Sequence, residues 1–152
     1  IVISDKKSPE GLAELQKFNN FITGEEAQKI GRIGQELQQL ARQNKEAETI
    51  EQIKKLTAAL EQFHQSAAAI DIKDPEIKAV LDRTVQVNST INEFMIYGSK
   101  YATELTIDSK DKEAVKFAKD FQDKSQKLQE TLRTANQELQ KAAEALSKKY
   151  AQ

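Results

Sequence analysis

The sequence predicts an all-α fold: an elongated antiparallel up-down-up-down four-helix bundle whose first helix is kinked near Gly24. Three observations predict it. Turn formers are scarce, with 5 Gly and 2 Pro in 152 residues, far fewer than a sheet protein with many turns needs. Apolar residues recur at intervals of three and four along almost the whole chain, the period of a helix with one buried stripe. Polar segments break that period at only a few places, so helices are long, loops are short and neighbours run antiparallel. A chain of 152 residues is one domain and can bury a core without staples. Residues 1–8 are expected as a flexible tail and residues 9–152 as the bundle.

The first helix opens at Ser8-Pro9-Glu10, where Ser8 can cap, Pro9 fits the first helical position and Glu10 favours the positive helix end. Leu12, Leu15, Phe18, Ile22, Ile30, Ile33, Leu37 and Leu40 then share one face out to about Gln43. The face is interrupted only at "TGEEAQK". There Thr23 and Glu26 have capping-box spacing and Gly24 weakens the helix.

Most of the second set, Ile50, Ile53, Leu56, Leu60, Phe63, Ala67 and Ile70, falls on the opposite side of a straight continuation from Leu40. One rod cannot face its core both ways, so the chain is expected to turn between Asn44 and Glu48, with Thr49 and Gln52 as a fresh capping box. The alternative is a three-helix bundle with a long 24–70 helix plus a short N-terminal helix.

"DIKDPE" is a clear break, with Asp74 as cap and Pro75 at the first position. The third helix carries Ile77, Val80, Leu81, Val87, Ile91, Phe94, Met95, Tyr101, Ala102 and Leu105 and ends near Ile107. A cap at Asp108 or Ser109 starts the fourth. Its stripe, Ala114, Ala118, Phe121, Ser125, Leu128, Leu132, Ala135, Leu139, Ala142 and Leu146, keeps 3-4 spacing toward Tyr150, the mark of left-handed antiparallel packing.

Composition removes several functions. Charged residues make up 31%, the net charge is −1 and the signs interleave, so nothing here neutralises a phosphate backbone and no nucleic acid is expected. No apolar run reaches the roughly 18 residues of a membrane span, so no transmembrane segment is expected in this chain. Without cysteine there are no disulfides, thiolate metal sites or thiol nucleophiles. The chain opens on Ile1 rather than Met, which reads as a processed product that has lost a secretory signal or lipid-anchor segment. An extracytoplasmic location, periplasmic or cell-surface, is therefore favoured over a cytoplasmic one.

The sharpest motif is Glu61-Gln62-Phe63-His64, the Glu-x-x-His spacing of di-iron bundles. Such a centre needs two of these pairs and two further glutamates, and this chain has one His, so no metal is expected. His64 instead falls inside the apolar arc of its helix, with Thr57 in the same column. Counting across the turn puts Thr57 level with Asn88 and Glu61 level with Thr84. Thr57, Glu61, His64, Thr84 and Asn88 are thus expected as one buried polar layer that fixes register, or as a small polar pocket sensing pH through His64.

Asn88-Ser89-Thr90 matches a glycosylation sequon but lies mid-helix, and "DSKDKE" puts lysines where a calcium loop needs ligands. Gly31 and Gly34 flank the apolar stripe, as tolerated glycines or as the place where another helix approaches. Tyr97 and Tyr150 are the aromatics expected to be partly exposed and open to a partner.

No nucleophile accompanies the one His, so no catalytic residue, cofactor or metal is expected, and the chain is read as not an enzyme. It reads as a non-enzymatic structural or protein-interaction module, the soluble part of an anchored or secreted bacterial-type envelope protein, with a protein partner. The alternative is a carrier of a small apolar or amphipathic ligand held between the helices. Ser125, Gly98 and Ala118, small residues on core stripes, would leave it room.

Overall fold

The computed structural model describes residues 1–104 and 112–151, without the side chains of residues 100–104 and 114. The described residues form α1 (Gly11–Ile22), α2 (Glu25–Arg42), α3 (Glu46–Ala69), α4 (Pro75–Glu104) and α5 (Lys112–Tyr150). Helices α1 and α2 are one arm bent by about 35°, so the architecture is the expected four-rod all-α arrangement. At 1.5 Å per residue α4 is about 45 Å long and α5 about 58 Å. The expected helix end near Ile107 and the cap at Asp108 or Ser109 lie outside the described residues.

The turn between α2 and α3 falls at Gln43–Lys45, which rules out a continuous 24–70 helix. Asn44 adopts a positive φ of 55°, a left-handed conformation that Asn tolerates better than other non-glycine residues. The amide of Lys45 donates to the Leu40 carbonyl at 3.1 Å and that of Asn44 to Ala41 at 3.3 Å. These are the two bonds of a Schellman close, which satisfies carbonyls at the end of α2 without a glycine.

Two capping boxes expected from sequence do not form. Gly24, not Thr23, precedes α2. Thr23 instead donates its hydroxyl to the Asn19 carbonyl at 2.7 Å, finishing α1. Thr49 sits inside the first turns of α3 and donates to the Lys45 carbonyl at 2.6 Å, while Gln52 reaches α2 and donates to Glu36 at 2.5 Å. Asp74 does cap α4: its Oδ1 accepts from the amides of Glu76 at 2.8 Å and Ile77 at 3.1 Å.

The core is in two pieces. One gathers Leu15 and Phe18 of α1, Ala67 and Ile72 around the end of α3, Ile77, Val80 and Leu81 of α4, and Ala142, Leu146 and Tyr150 of α5. The other joins Ile33 and Leu37 of α2 to Ile53, Leu56, Ala59 and Leu60 of α3, with Met95 of α4 against it. Leu12, expected on the core stripe, is exposed. The bend at Thr23–Gly24 explains the split. Helix α1 packs against α4 and α5, whereas α2 packs against α3. The bundle is therefore closed at the α1 end, and at the other end α2 stands away from α5.

Helix α5 bridges the two ends unevenly. Its later stripe residues Ala135, Ala142 and Leu146 are buried, while Ala118, Phe121, Ser125 and Leu128 are only half-buried. An aromatic ladder holds that first half to α4. Phe94 stacks on Phe121 at 5.1 Å between centroids and Tyr97 stacks on Phe117 at 4.8 Å. Gly98 makes the approach feasible, since a Cβ there would come within 3.0 Å of the Phe121 ring.

Candidate functional site

The polar residues singled out from sequence are distributed along the α3–α4 seam. Thr57 Oγ1 lies 3.0 Å from both the Ile53 carbonyl and Asn92 Oδ1. His64 Nε2 is 3.3 Å from Ser89 Oγ. Thr84 donates to its own helix, to the Val80 carbonyl at 2.8 Å, and Glu61 is exposed. Asn88 is half-buried on α4. The seam thus pairs Thr57 and His64 with Asn92 and Ser89 rather than with Asn88 and Thr84.

The reason is the α3–α4 connection. Ile70 leaves α3 with ψ 125°, and the chain runs on before α4 begins at Pro75. The observed pairs set the start of α4 roughly one to two helical turns beyond the end of α3. A symmetric turn would have given the expected register. Among the described residues no group of three or more His, Asp or Glu could hold a metal ion.

At the closed end lies a network that sequence reasoning missed. Glu14 and Asp74 are both buried. The Glu14 carboxylate accepts from the Lys73 amide at 2.6 Å and the Asp74 amide at 3.3 Å, satisfying the connection's backbone. Asp74 Oδ2 accepts from Ser8 Oγ at 2.6 Å and from the Tyr150 hydroxyl at 3.3 Å. Glu76 accepts from the Ser4 amide at 2.6 Å and from Lys149 Nζ at 2.5 Å. A Cβ at Gly11 would overlap the Tyr150 ring, so only glycine lets α1 pass there.

Residues 1–8, expected as a tail, thus run against α4 and α5. Ser8, expected to cap α1, reaches Asp74, and Tyr150, expected to be partly exposed, is buried. The signal for Glu14 was legible in principle, because it lies three residues from Gly11 and four from Phe18, on the face that packs.

Opposing effects set the charge state of this network. Burial pushes the Asp74 carboxyl up, but hydrogen bonds from Ser8, the Ile77 and Glu76 amides and Tyr150 outweigh it and hold it below the usual carboxylate range. Burial likewise raises Glu76, and Lys149 and Ser4 more than offset it. Asp74 and Glu76 are therefore held in their ionised forms, with their oxygens engaged by donors of the chain itself.

The open end differs. Between α2, α3 and the aromatic ladder lies a cleft of about 680 Å³. One wall is the α2 face carrying Gly31, Gly34, Gln38 and Ala41, the floor is Leu37, Ile50 and Ile53, and the opposite wall is Phe94, Met95, Gly98 and Phe121. Only Lys45 and Glu46 among its lining residues are charged, and both sit at the α2–α3 turn. Nothing lies within 4 Å of where a Cβ would stand at Gly31 or Gly34, so these glycines widen the cleft rather than admit a packed neighbour. Of the small residues expected to leave space, Gly98 lines the cleft and Ala118 and Ser125 do not.

The arrangement is suited to bury apolar surface. Its volume falls in the range of about 300–1,000 Å³ typical of ligand sites. Its only charges are confined to one end, which suits a guest with an apolar body.

No helix among the described residues is long and apolar enough to cross a membrane. Comparison with curated proteins and with solved structures finds no match. Among protein families, the one described as "Uncharacterised lipoprotein PM1805" matches residues 12–151, a span that covers both core clusters and the cleft. A lipoprotein description fits an all-helical body held at the cell envelope outside the cytoplasm. The chain belongs to this lipoprotein family.

Proposed function

We propose that the chain is a non-enzymatic interaction module of the cell envelope, on the periplasmic or cell-surface side, whose working surface is the cleft at the open end. The observation that carries this is the cleft itself: about 680 Å³ whose lining is mostly apolar and small, with only Lys45 and Glu46 charged, in an otherwise charged molecule. An amphipathic segment of a partner protein would lay its apolar face there and leave its polar face in water. A photo-crosslinker placed at Gln38 in the native membrane-associated protein tests it. Capture of a protein at Gln38, but not from the exposed Lys141 on α5, is the expected result. Equal labelling at both positions would overturn the reading.

The size of the cleft also supports a second reading, a carrier of a small apolar or amphipathic molecule. A single-chain amphiphile would then raise the melting temperature in proportion to the logarithm of its concentration. Gly31→Leu with Gly34→Leu, which project into open space, would abolish that rise while leaving the helices formed. No change in melting temperature with amphiphile eliminates the carrier.

A further inference from the structure

The cleft has a length, a width and a charge pattern, and each restricts the guest. Its α2 wall runs from Gly31 to Ala41, ten residues or about 15 Å along the helix. That is half of the roughly 30 Å hydrocarbon core of a bilayer, the depth that one acyl chain spans. Spread over that length, the volume of about 680 Å³ gives a mean cross-section of about 45 Å². A helix about 10 Å across needs roughly twice that section, so a helix rests on the cleft by one face only. A hydrocarbon chain, whose neighbours sit about 4 Å from its carbons, fits inside.

Polarity is graded along that length. At one end the wall is glycine, and nothing lies within 4 Å of where a Cβ would stand at Gly31 or Gly34. Leu37, Ile53 and Met95 line the middle, with the uncharged amides of Gln35 and Gln38 on the wall. At the other end Asn44, Lys45, Glu46 and Thr49 gather at the α2–α3 turn, where Lys45 and Glu46 set one cation beside one anion at the exposed rim. We infer that the guest is a single-chain lipid with a zwitterionic head, a phosphate and an amine, lying along α2 with its head at the α2–α3 turn and its chain tip at Gly31. The phosphate is met by Lys45 and the amine by Glu46, so both charges of the head stay at the wet rim. The chain leaves water along the apolar lining, a gain that grows with each methylene. This deepens the carrier reading of the cleft and rests on it.

The test measures the affinity of the full chain for 1-acyl lysophosphoethanolamines of graded chain length, each below its micelle concentration. One buried methylene is worth about 0.8 kcal/mol, a factor of about four in affinity. Affinity is expected to rise by up to that factor per methylene and to level off once the chain tip reaches Gly31. Gly31→Leu moves the levelling to a shorter chain and Gly34→Leu to one shorter still, because each leucine fills the slot from the tip end. Ala41→Leu, near the head, weakens all lengths alike. Leucine favours a helix over glycine, and unchanged circular dichroism shows that α2 forms in each variant.

Lys45→Gln reads the head separately. It is expected to weaken the lysophosphoethanolamines a few-fold and to leave an alkylammonium chain of the same length unaffected. A levelling point that the glycine variants do not move, or that Ala41→Leu moves most, would overturn the inference, as would a Lys45→Gln effect common to both probes. Failure of the carrier reading registers differently, as no binding of a probe of any length to the parent chain, and overturns both.

Discussion

Single residues decide where this chain turns and what fastens its ends. Asn44 closes α2 with a positive φ and no glycine. Asn44→Gly is therefore expected to change stability by only a few tenths of a kcal/mol, whereas Asn44→Val should cost about 1–2 kcal/mol, read by urea denaturation. Asp74 is both a helix cap and the acceptor for Ser8 and Tyr150, so Asp74→Ala should cost about 2 kcal/mol. Its carboxyl lies below the usual range, so its contribution is complete above the unfolded value of about 4 and fades as pH falls through the lower folded value. Lys149 behaves oppositely. The hydrogen bond to Glu76 raises it, so its contribution is complete below about 10.4 and fades as pH climbs through the higher folded value. Melting temperature against pH should be flat between these limits, and Asp74→Asn should flatten the acid limb.

Elements show how far a linear reading reaches. Each stripe identified its helix, because a period of 3.6 survives whatever the partner is. The reversal at residues 40–50 was legible because the apolar positions from Ile53 to Ile70 fall on the far side of a straight rod continued from Leu40. Thr23 and Thr49 misled because a hydroxyl serves a carbonyl one turn back as readily as a downstream amide. The α3–α4 register was not legible, since five connecting residues can run on before reversing and spacing alone does not say so. Nor was the cleft, since a heptad stripe announces that it will be covered and not by what. The Thr57–Asn92 pair gives an element-level test. Thr57→Val alone should cost about 1 kcal/mol by stranding a half-buried amide, and adding Asn92→Leu should recover most of it.

The whole molecule joins two cores of unequal closure. Around the closed end Ile77 and Leu146 are fully buried. Around the open end the cleft is exposed to solvent and the first half of α5 is held to α4 by its aromatic ladder. Native-state hydrogen exchange should therefore find the highest protection at residues 77–81 and 135–146, and earlier opening along residues 112–125. Phe121→Ala should raise exchange in that early-opening stretch by a large factor while leaving the closed end unchanged.

The route by which residues 4–14 join the body also makes it a mechanical coupling. A pull applied through the leading residues enters at Ser4 and Ser8 and passes into Glu76 and Asp74. From there the load runs along α4 and, through Lys149 and Tyr150, along α5, the two longest rods. The α2–α3 hairpin hangs outside that line, so a load entering through the leading residues bypasses the cleft end.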